Sequence, residues 1–254
     1  MRILVKLGGT LLDAPDSRAR LTTELAEAAK NAEMVVVHGG GKQMTRYLAE
    51  HGVESKFIDG LRVTTPAVVD AVLKVFAGTV NHELVASFVQ AGAMAVGLTG
   101  IDACITIAEQ LREDLGAVGK VVRGNGDLLR LLTANQFLPV VACVAGDGRG
   151  RVFNVNADQM AVACAAAFPA EKLFFLTDVD GVKGPDGLID TLTPADCRKL
   201  IADGVATGGM QAKLNAACDG LAQGVGEVVI APGAAADVVG TLLRGQRIGT
   251  RLVT

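Results

Sequence analysis

Apolar residues arrive in short runs along this chain, and most runs stop at glycine or a small polar residue. The first, Arg2-Ile3-Leu4-Val5-Lys6-Leu7, ends at Gly8-Gly9. Similar strand patterns lie at Met34–Val37, Ala93–Leu98, Leu138–Val144, Lys172–Leu176, Glu227–Ile230 and Thr250–Val253. Between them the apolar spacing turns helical, over Asp16–Lys30, Gln43–His51, Ala67–Ala77, Asn81–Gln90, Met160–Phe168, Pro194–Asp203 and Ala235–Leu243. Asp127 reads as the cap of a helix to Asn135, and another helix follows Thr207-Gly208-Gly209. Cys104–Ala108 and Val118–Val122 read as short antiparallel strands. Strands alternating with helices, without repeats, predict an α/β fold with a mostly parallel sheet covered on both faces. The turn Gly146-Asp147-Gly148-Arg149-Gly150 suggests a lobe boundary, dividing 1–150 from 151–254.

Composition narrows the function. At 254 residues, half of them hydrophobic, the chain can bury a large core as one domain or two fused lobes. A net charge of −3 and the absence of any basic run or aromatic platform exclude a general nucleic-acid binder, leaving a small-molecule substrate. The longest apolar run, Ala161–Phe168, is too short for a membrane span, and no targeting segment precedes the first strand. Cys104, Cys143, Cys164, Cys197 and Cys218 form no CxxC pair and read as free thiols in a reducing cytoplasm.

The strand ends carry the chemistry. Lys6 lies where the first strand meets the open edge of the sheet, and Gly8 and Gly9 bring bare N–H groups beside it. It can be an anion contact or a lysine whose head reaches water. His38-Gly39-Gly40-Gly41-Lys42 joins a strand to a helix N-terminus, a cradle for an anion. It fits neither GxxxxGK[ST] nor GxGxxG, and no GxSxG nucleophile accompanies it. His38 can be a ligand, a base or a structural hydrogen-bonder at the strand end. Arg62 can grip a carboxylate or sit as a surface charge. Asn156 or Asn154 suits a helix N-cap, but a cap alone does not explain Asn154, Asn156 and Asp158 together. Asp178 and Asp180 fit a metal or ribose contact as well as a β-turn. The apolar face of Val68, Val69, Val72 and Phe76 is core or a homodimer seam.

In order along nearly the whole chain, Val5-Lys6-Leu7-Gly8-Gly9, His38-Gly39-Gly40-Gly41, Gly60-Leu61-Arg62-Val63-Thr64, Asn154-Val155-Asn156-Ala157-Asp158-Gln159, Thr177-Asp178-Val179-Asp180-Gly181-Val182, Gly208-Gly209-Met210 with Lys213, and Gly249-Thr250-Arg251 resemble the amino acid kinase family. The GLRVT and NVNADQ forms are similar to the branch that phosphorylates acetylglutamate, rather than the aspartate, glutamate, uridylate or carbamate branches. The resemblance implies a three-layer αβα sandwich, with the acetylated amino acid in the N-terminal lobe and ATP in the C-terminal one. It implies a cytoplasmic enzyme of arginine biosynthesis that phosphorylates the side-chain carboxylate of N-acetyl-L-glutamate and releases ADP. Gly40, Gly41, Arg62 and Asn154 would bind the acid. Lys6 and Lys213 would stabilise the transferring phosphoryl group, with Asp158 holding both. Gly8, Gly9, Asp178, Val179, Asp180, Gly181, Val182, Lys183, Val205, Ala206 and Thr207 would line the nucleotide. Mg2+ would be held mainly by phosphates and water, with no protein ligand.

Two features depart from the family pattern. Ile101 stands before Asp102 where the family has lysine, which leaves that loop without an assigned role. The first strand begins at Arg2, without the extra N-terminal helix of arginine-inhibited hexamers. The expectation is an arginine-insensitive homodimer with the Pro66–Ala77 helix in its seam. The rival readings are a sister kinase acting on another or a carrier-linked carboxylate, such as 2-aminoadipate, and a silent amino-acid or nucleotide sensor. Binding alone would not require Lys6, Lys213 and Asp158 together. A nicotinamide oxidoreductase lacks its dinucleotide fingerprint.

Overall fold

The strand Arg2–Leu7 lies inside an eight-stranded sheet, parallel to Glu33–His38 on one side and Lys172–Thr177 on the other. The computed structural model describes residues 1–254. Leu4 and Val5 point to opposite faces, yet both are fully buried, so both faces are covered. The strand order is Thr191–Leu192, Thr250–Leu252, Glu227–Pro232, Lys172–Thr177, Arg2–Leu7, Glu33–His38, Phe137–Ala142 and Met94–Thr99. Pairing is parallel throughout, except where Thr250–Leu252 runs against Glu227–Pro232. This is the α/β architecture that the continuous apolar runs predict, since parallel strands are buried on both sides.

Four short strands form a small closed barrel: Thr106–Gln110, Val118–Gly124, Val144–Gly146 and Val152–Val155. It grows from the carboxyl ends of Met94–Thr99 and Phe137–Ala142 and feeds the helix Ala157–Ala167. Gly150 lies in the turn between two of its paired strands. Gly100, at the root of the barrel, donates its N–H to the Val144 carbonyl at 2.7 Å. Asp102 folds back on Thr99, accepting from its N–H at 2.7 Å and its hydroxyl at 2.8 Å.

Two elements differ from their sequence expectation. The helices expected over Ala67–Ala77 and Asn81–Gln90 are one helix, Pro66–Gln90, continuous through a π-helical stretch at Leu73–Val80. The wider π turn absorbs Gly78-Thr79, which look like a break, and brings Asn81 beneath the sheet. This helix is long and apolar enough to cross a membrane; one face packs against the sheet, where the buried Asn81 bonds to His38 and to the Val140 carbonyl. Asp127 does not cap its helix. Gly126 is the N-cap, and Asn125 Oδ1 accepts from the Asp127 N–H at 3.0 Å.

Candidate active site

The carboxyl ends of the central strands meet the N-termini of three helices, and three charged side chains converge there. Lys6 comes from the first strand, Asp158 from the first turn of Ala157–Ala167, and Lys213 from the second turn of Gly208–Ala222. Asn156 is the N-cap that fixes Asp158, its Oδ1 accepting from the N–H groups of Asp158 (2.9 Å) and Gln159 (3.3 Å). Lys6 Nζ lies 2.7 Å from Asp158 Oδ1, and Lys213 Nζ donates to Oδ2 at 3.0 Å. The three side chains are only 8, 19 and 8 % exposed for Lys6, Lys213 and Asp158. Burial alone would push the Asp158 carboxyl up, but Lys6 and then Lys213 hold it below the ordinary carboxylate range. One carboxylate thus bridges two ammonium groups at one place.

The glycine loops close around this cluster. A side chain at Gly9 would come within 3.3 Å of Gly41 N, and one at Gly8 within 3.2 Å of the Leu176 carbonyl. The Gly8-Gly9 turn, the Gly40-Gly41 turn and the end of Lys172–Thr177 are therefore packed against one another. Gly40 is required by close approach, because a methyl there would meet Phe76 at 2.9 Å. Gly41 and Gly209 are different. A Cβ at either would enter open space, and neither has a positive φ. The helices Gly41–Glu50 and Gly208–Ala222 also lack a side-chain cap, so their first N–H groups face that space bare.

Beside Gly41 opens a cavity of about 620 Å³, lined by Gly9, Thr10, Lys42, Thr45 and Arg62 among others. Arg62 stands on the hairpin of Phe57–Ile58 and Leu61–Arg62, stacked 4.6 Å from the Phe57 ring centroid. Its fork donates to Ser55 Oγ, to Thr45 Oγ1 at 2.8 Å and to the Gly41 carbonyl at 3.3 Å. It is 9 % exposed, and burial lowers its pKa, yet no acid pairs with it. A buried guanidinium that no protein carboxylate neutralises is suited to receive an anion. Asn154, on the barrel strand Val152–Val155, donates Nδ2 to Thr64 Oγ1 at 3.1 Å, two residues beyond Arg62.

On the other flank, Asp178 follows the strand Lys172–Thr177 and is held by the hydroxyls of Thr177 and Thr10. Its slight burial works against ionisation, but backbone and hydroxyl donors outweigh it and lower its pKa. Asp180 and Lys183 form an exposed pair at 3.5 Å. Gly181 packs against Thr250, whose Oγ1 accepts from the Val182 N–H at 2.8 Å, and the Val182 side chain is buried in the core. Val205 is exposed, Ala206 buried, and Thr207 precedes the Gly208 helix. Thr10, Thr45 and Ser55 are polar partners that sequence reasoning missed. Only Thr10 had a signal, its place directly after Gly8-Gly9.

His38 takes the structural role. Fully buried, it donates from Nδ1 to the Gly39 carbonyl at 2.8 Å and accepts at Nε2 from Asn81 Nδ2 at 2.9 Å. Burial pushes its pKa down to about 4, outweighing the Gly39 contact, so the ring is neutral and has no free nitrogen. All five cysteines are free thiols, and burial pushes Cys143 and Cys164 up to about 12.

The model of the amino acid kinase family matches residues 1–232. The chain belongs to the amino acid kinase family. Over its full length it is 60 % identical to the acetylglutamate kinase of Solibacter usitatus, with 100 % of both chains covered. The acetylglutamate kinase of Koribacter versatilis is 41 % identical, over 100 % of this chain and 99 % of that one. Among solved structures, the N-acetylglutamate synthase of Neisseria gonorrhoeae, complexed with coenzyme A and N-acetyl-glutamate, superposes with a TM-score of 0.86 at 25 % identity. The match covers all of this chain and 59 % of the synthase. The protein is therefore a kinase that uses ATP, with the amino acid kinase fold.

Proposed function

We propose that this kinase transfers the γ-phosphoryl group of ATP to the side-chain carboxylate of N-acetyl-L-glutamate, giving N-acetylglutamyl 5-phosphate and ADP, a step of arginine biosynthesis. The observation that carries the reading is the buried Lys6–Asp158–Lys213 cluster beside an arginine without a counter-ion. The names of the full-length relatives support the choice of acid.

The acceptor is a carboxylate, with a pKa of about 4.3, so it attacks without a general base. One carboxylate oxygen bonds to the γ-phosphorus as the bond to the bridging oxygen breaks, and the charge leaves on ADP. No proton moves. The difficulty is repulsion between the acid and the polyphosphate. Lys6 and Lys213 counter it from fixed positions, since Asp158 holds both ammonium groups before substrate arrives. The Gly8 N–H is taken by the Leu176 carbonyl at 3.0 Å, so Gly9 supplies the N–H donor at the phosphates, and Gly41 and Gly209 leave the room that a side chain would fill. Arg62 clamps the second carboxylate of the acid, with Gly40, Gly41 and Asn154 completing that subsite. Asp178–Lys183 and Val205–Thr207 line the nucleotide, so 151–254 serves mainly ATP, while 1–150 supplies the acid subsite except for Asn154.

Asp158, the acid nearest the phosphoryl site, is committed to two lysines. A magnesium ion would then be held mainly by the phosphates and water and would screen their charge. A second copy of the chain would cover Leu73 and Val89 on the long helix, 39 and 55 % exposed, as a homodimer acting in the cytoplasm. ADP release measured across N-acetylglutamate, N-acetylaspartate, glutamate and 2-aminoadipate tests the assignment. N-acetylglutamate should give the largest kcat/KM by at least about tenfold; a larger value for 2-aminoadipate would move the reading to a sister kinase.

A further inference from the structure

The loop after the strand Glu227–Pro232 is held by residues more than two hundred positions away. Arg20, on the helix Pro15–Ala29, donates from Nη1 to the Ala235 carbonyl at 2.7 Å and from Nη2 to the Gly233 carbonyl. Glu24, one turn on, receives Arg20 at 2.7 Å and accepts from the N–H groups of Asp237 (3.1 Å) and Val239 (3.3 Å). Those two N–H groups open the helix Val238–Leu243, whose own N-cap, Asp237, is left-handed (φ 51°) and offers no side-chain cap. A carboxylate from another helix thus satisfies donors that the local chain leaves bare. The pair is partly buried, with side-chain exposures of 30 and 15 %.

The clamped loop abuts the nucleotide stretch. Gly233 donates its N–H to the Thr177 carbonyl at 2.8 Å, next to Asp178, and Pro232 is level with Thr177 in the sheet. A side chain at Gly233 would collide with Leu11, so the loop also packs closely against that side chain. Its position is therefore set by the helix Pro15–Ala29, which carries no group proposed to touch either substrate. Ligands of such sheets lie at this carboxyl edge.

We infer that Arg20 and Glu24 are positioning residues for ATP: through the Gly233–Asp237 backbone they fix the wall beside Asp178 against which the nucleotide seats. The inference rests on the reading of Asp178–Lys183 as nucleotide-binding. In Arg20→Ala and Glu24→Gln, the Kd and KM for ATP should rise roughly tenfold, as misplaced binding groups do, while KM for N-acetylglutamate stays within about twofold. Arg20→Lys should not restore ATP affinity, because an ammonium cannot fork across two carbonyls. Calorimetric titration of ATP with magnesium, steady-state kinetics for each substrate and thermal melts of the same samples decide it. A lowered Tm with unchanged ATP Kd in the folded variants would make the pair purely structural and overturn the inference. Equal rises in KM for both substrates would also overturn it. A wild-type enzyme without saturable ATP binding would sink the nucleotide reading first, and this inference with it.

Discussion

Asp158→Asn removes the charge that joins the two lysines while keeping the side chain's shape. At an effective dielectric near 20, ion pairs of 2.7 and 3.0 Å correspond to roughly 6 kcal/mol of gross attraction each. Desolvation of the buried groups cancels most of that, and removing one partner of such a buried set costs about 3–5 kcal/mol. For a chain of this length that is a fall in Tm of roughly 10 °C. Because the cluster is shielded from solvent, raising the salt should narrow the gap only slightly, unlike an exposed pair. The kinetic effect should exceed the thermal one: two unpaired ammonium groups repel, and kcat should drop by about two powers of ten or more. Melts at low and high salt, with kcat at a temperature where the variant is folded, measure both effects. A D158N enzyme melting within about 2 °C of wild type with kcat intact would refute the electrostatic argument for the cluster.

The other expectations concern the glycines, the arginine and the buried histidine. Gly41→Ala and Gly209→Ala should each keep or raise Tm, since a methyl enters open space with ordinary dihedrals, yet cut kcat/KM by at least about tenfold; full activity in both would show that the space is not for substrate. Arg62→Ala should raise KM for N-acetylglutamate about ten- to a hundredfold with a smaller change in kcat, and Arg62→Lys should recover little of it; unchanged KM would place the acid elsewhere. His38 is folded with a pKa of about 4 against about 6.5 unfolded, so the unfolded chain binds the extra proton between those values. Its contribution to stability should be complete above about pH 6.5 and fall by up to about 3 kcal/mol towards pH 4, and His38→Gln should flatten that slope in urea melts; an equal slope in the variant would assign it to other groups.

Much of this molecule was legible from one-dimensional pattern, for a physical reason. Parallel strands buried on both faces must be written as continuous apolar runs, and ligand-binding turns at their ends must be written in glycine. Lys6 interrupts an apolar strand, Asp158 stands with Asn154 and Asn156 at a helix start, and Lys213 follows a glycine pair, so the sequence carries a mark at each. That one carboxylate bridges both ammonium groups needed the fold. The continuity of the helix Pro66–Gln90 is not written in the sequence, because Gly78-Thr79 resemble a break and the π stretch that carries the helix through them has no sequence period. Asp127 is the first residue inside its helix rather than the cap, and its own N–H is taken by Asn125 from two positions earlier. The partners of Arg62 and the Arg20–Glu24 clamp depend on contacts between distant segments, which spacing cannot encode.

The central claim is that Lys6 and Lys213 together move a phosphoryl group onto a carboxylate. Trapping with hydroxylamine reads that bond directly, because an acyl phosphate is converted to a stable hydroxamate. Wild-type enzyme with ATP, magnesium and N-acetylglutamate should yield hydroxamate and ADP in equal amounts, and Lys6→Met or Lys213→Met, confirmed folded, should yield neither above about one per cent of that rate. ADP without hydroxamate, or undiminished hydroxamate from either variant, would contradict it.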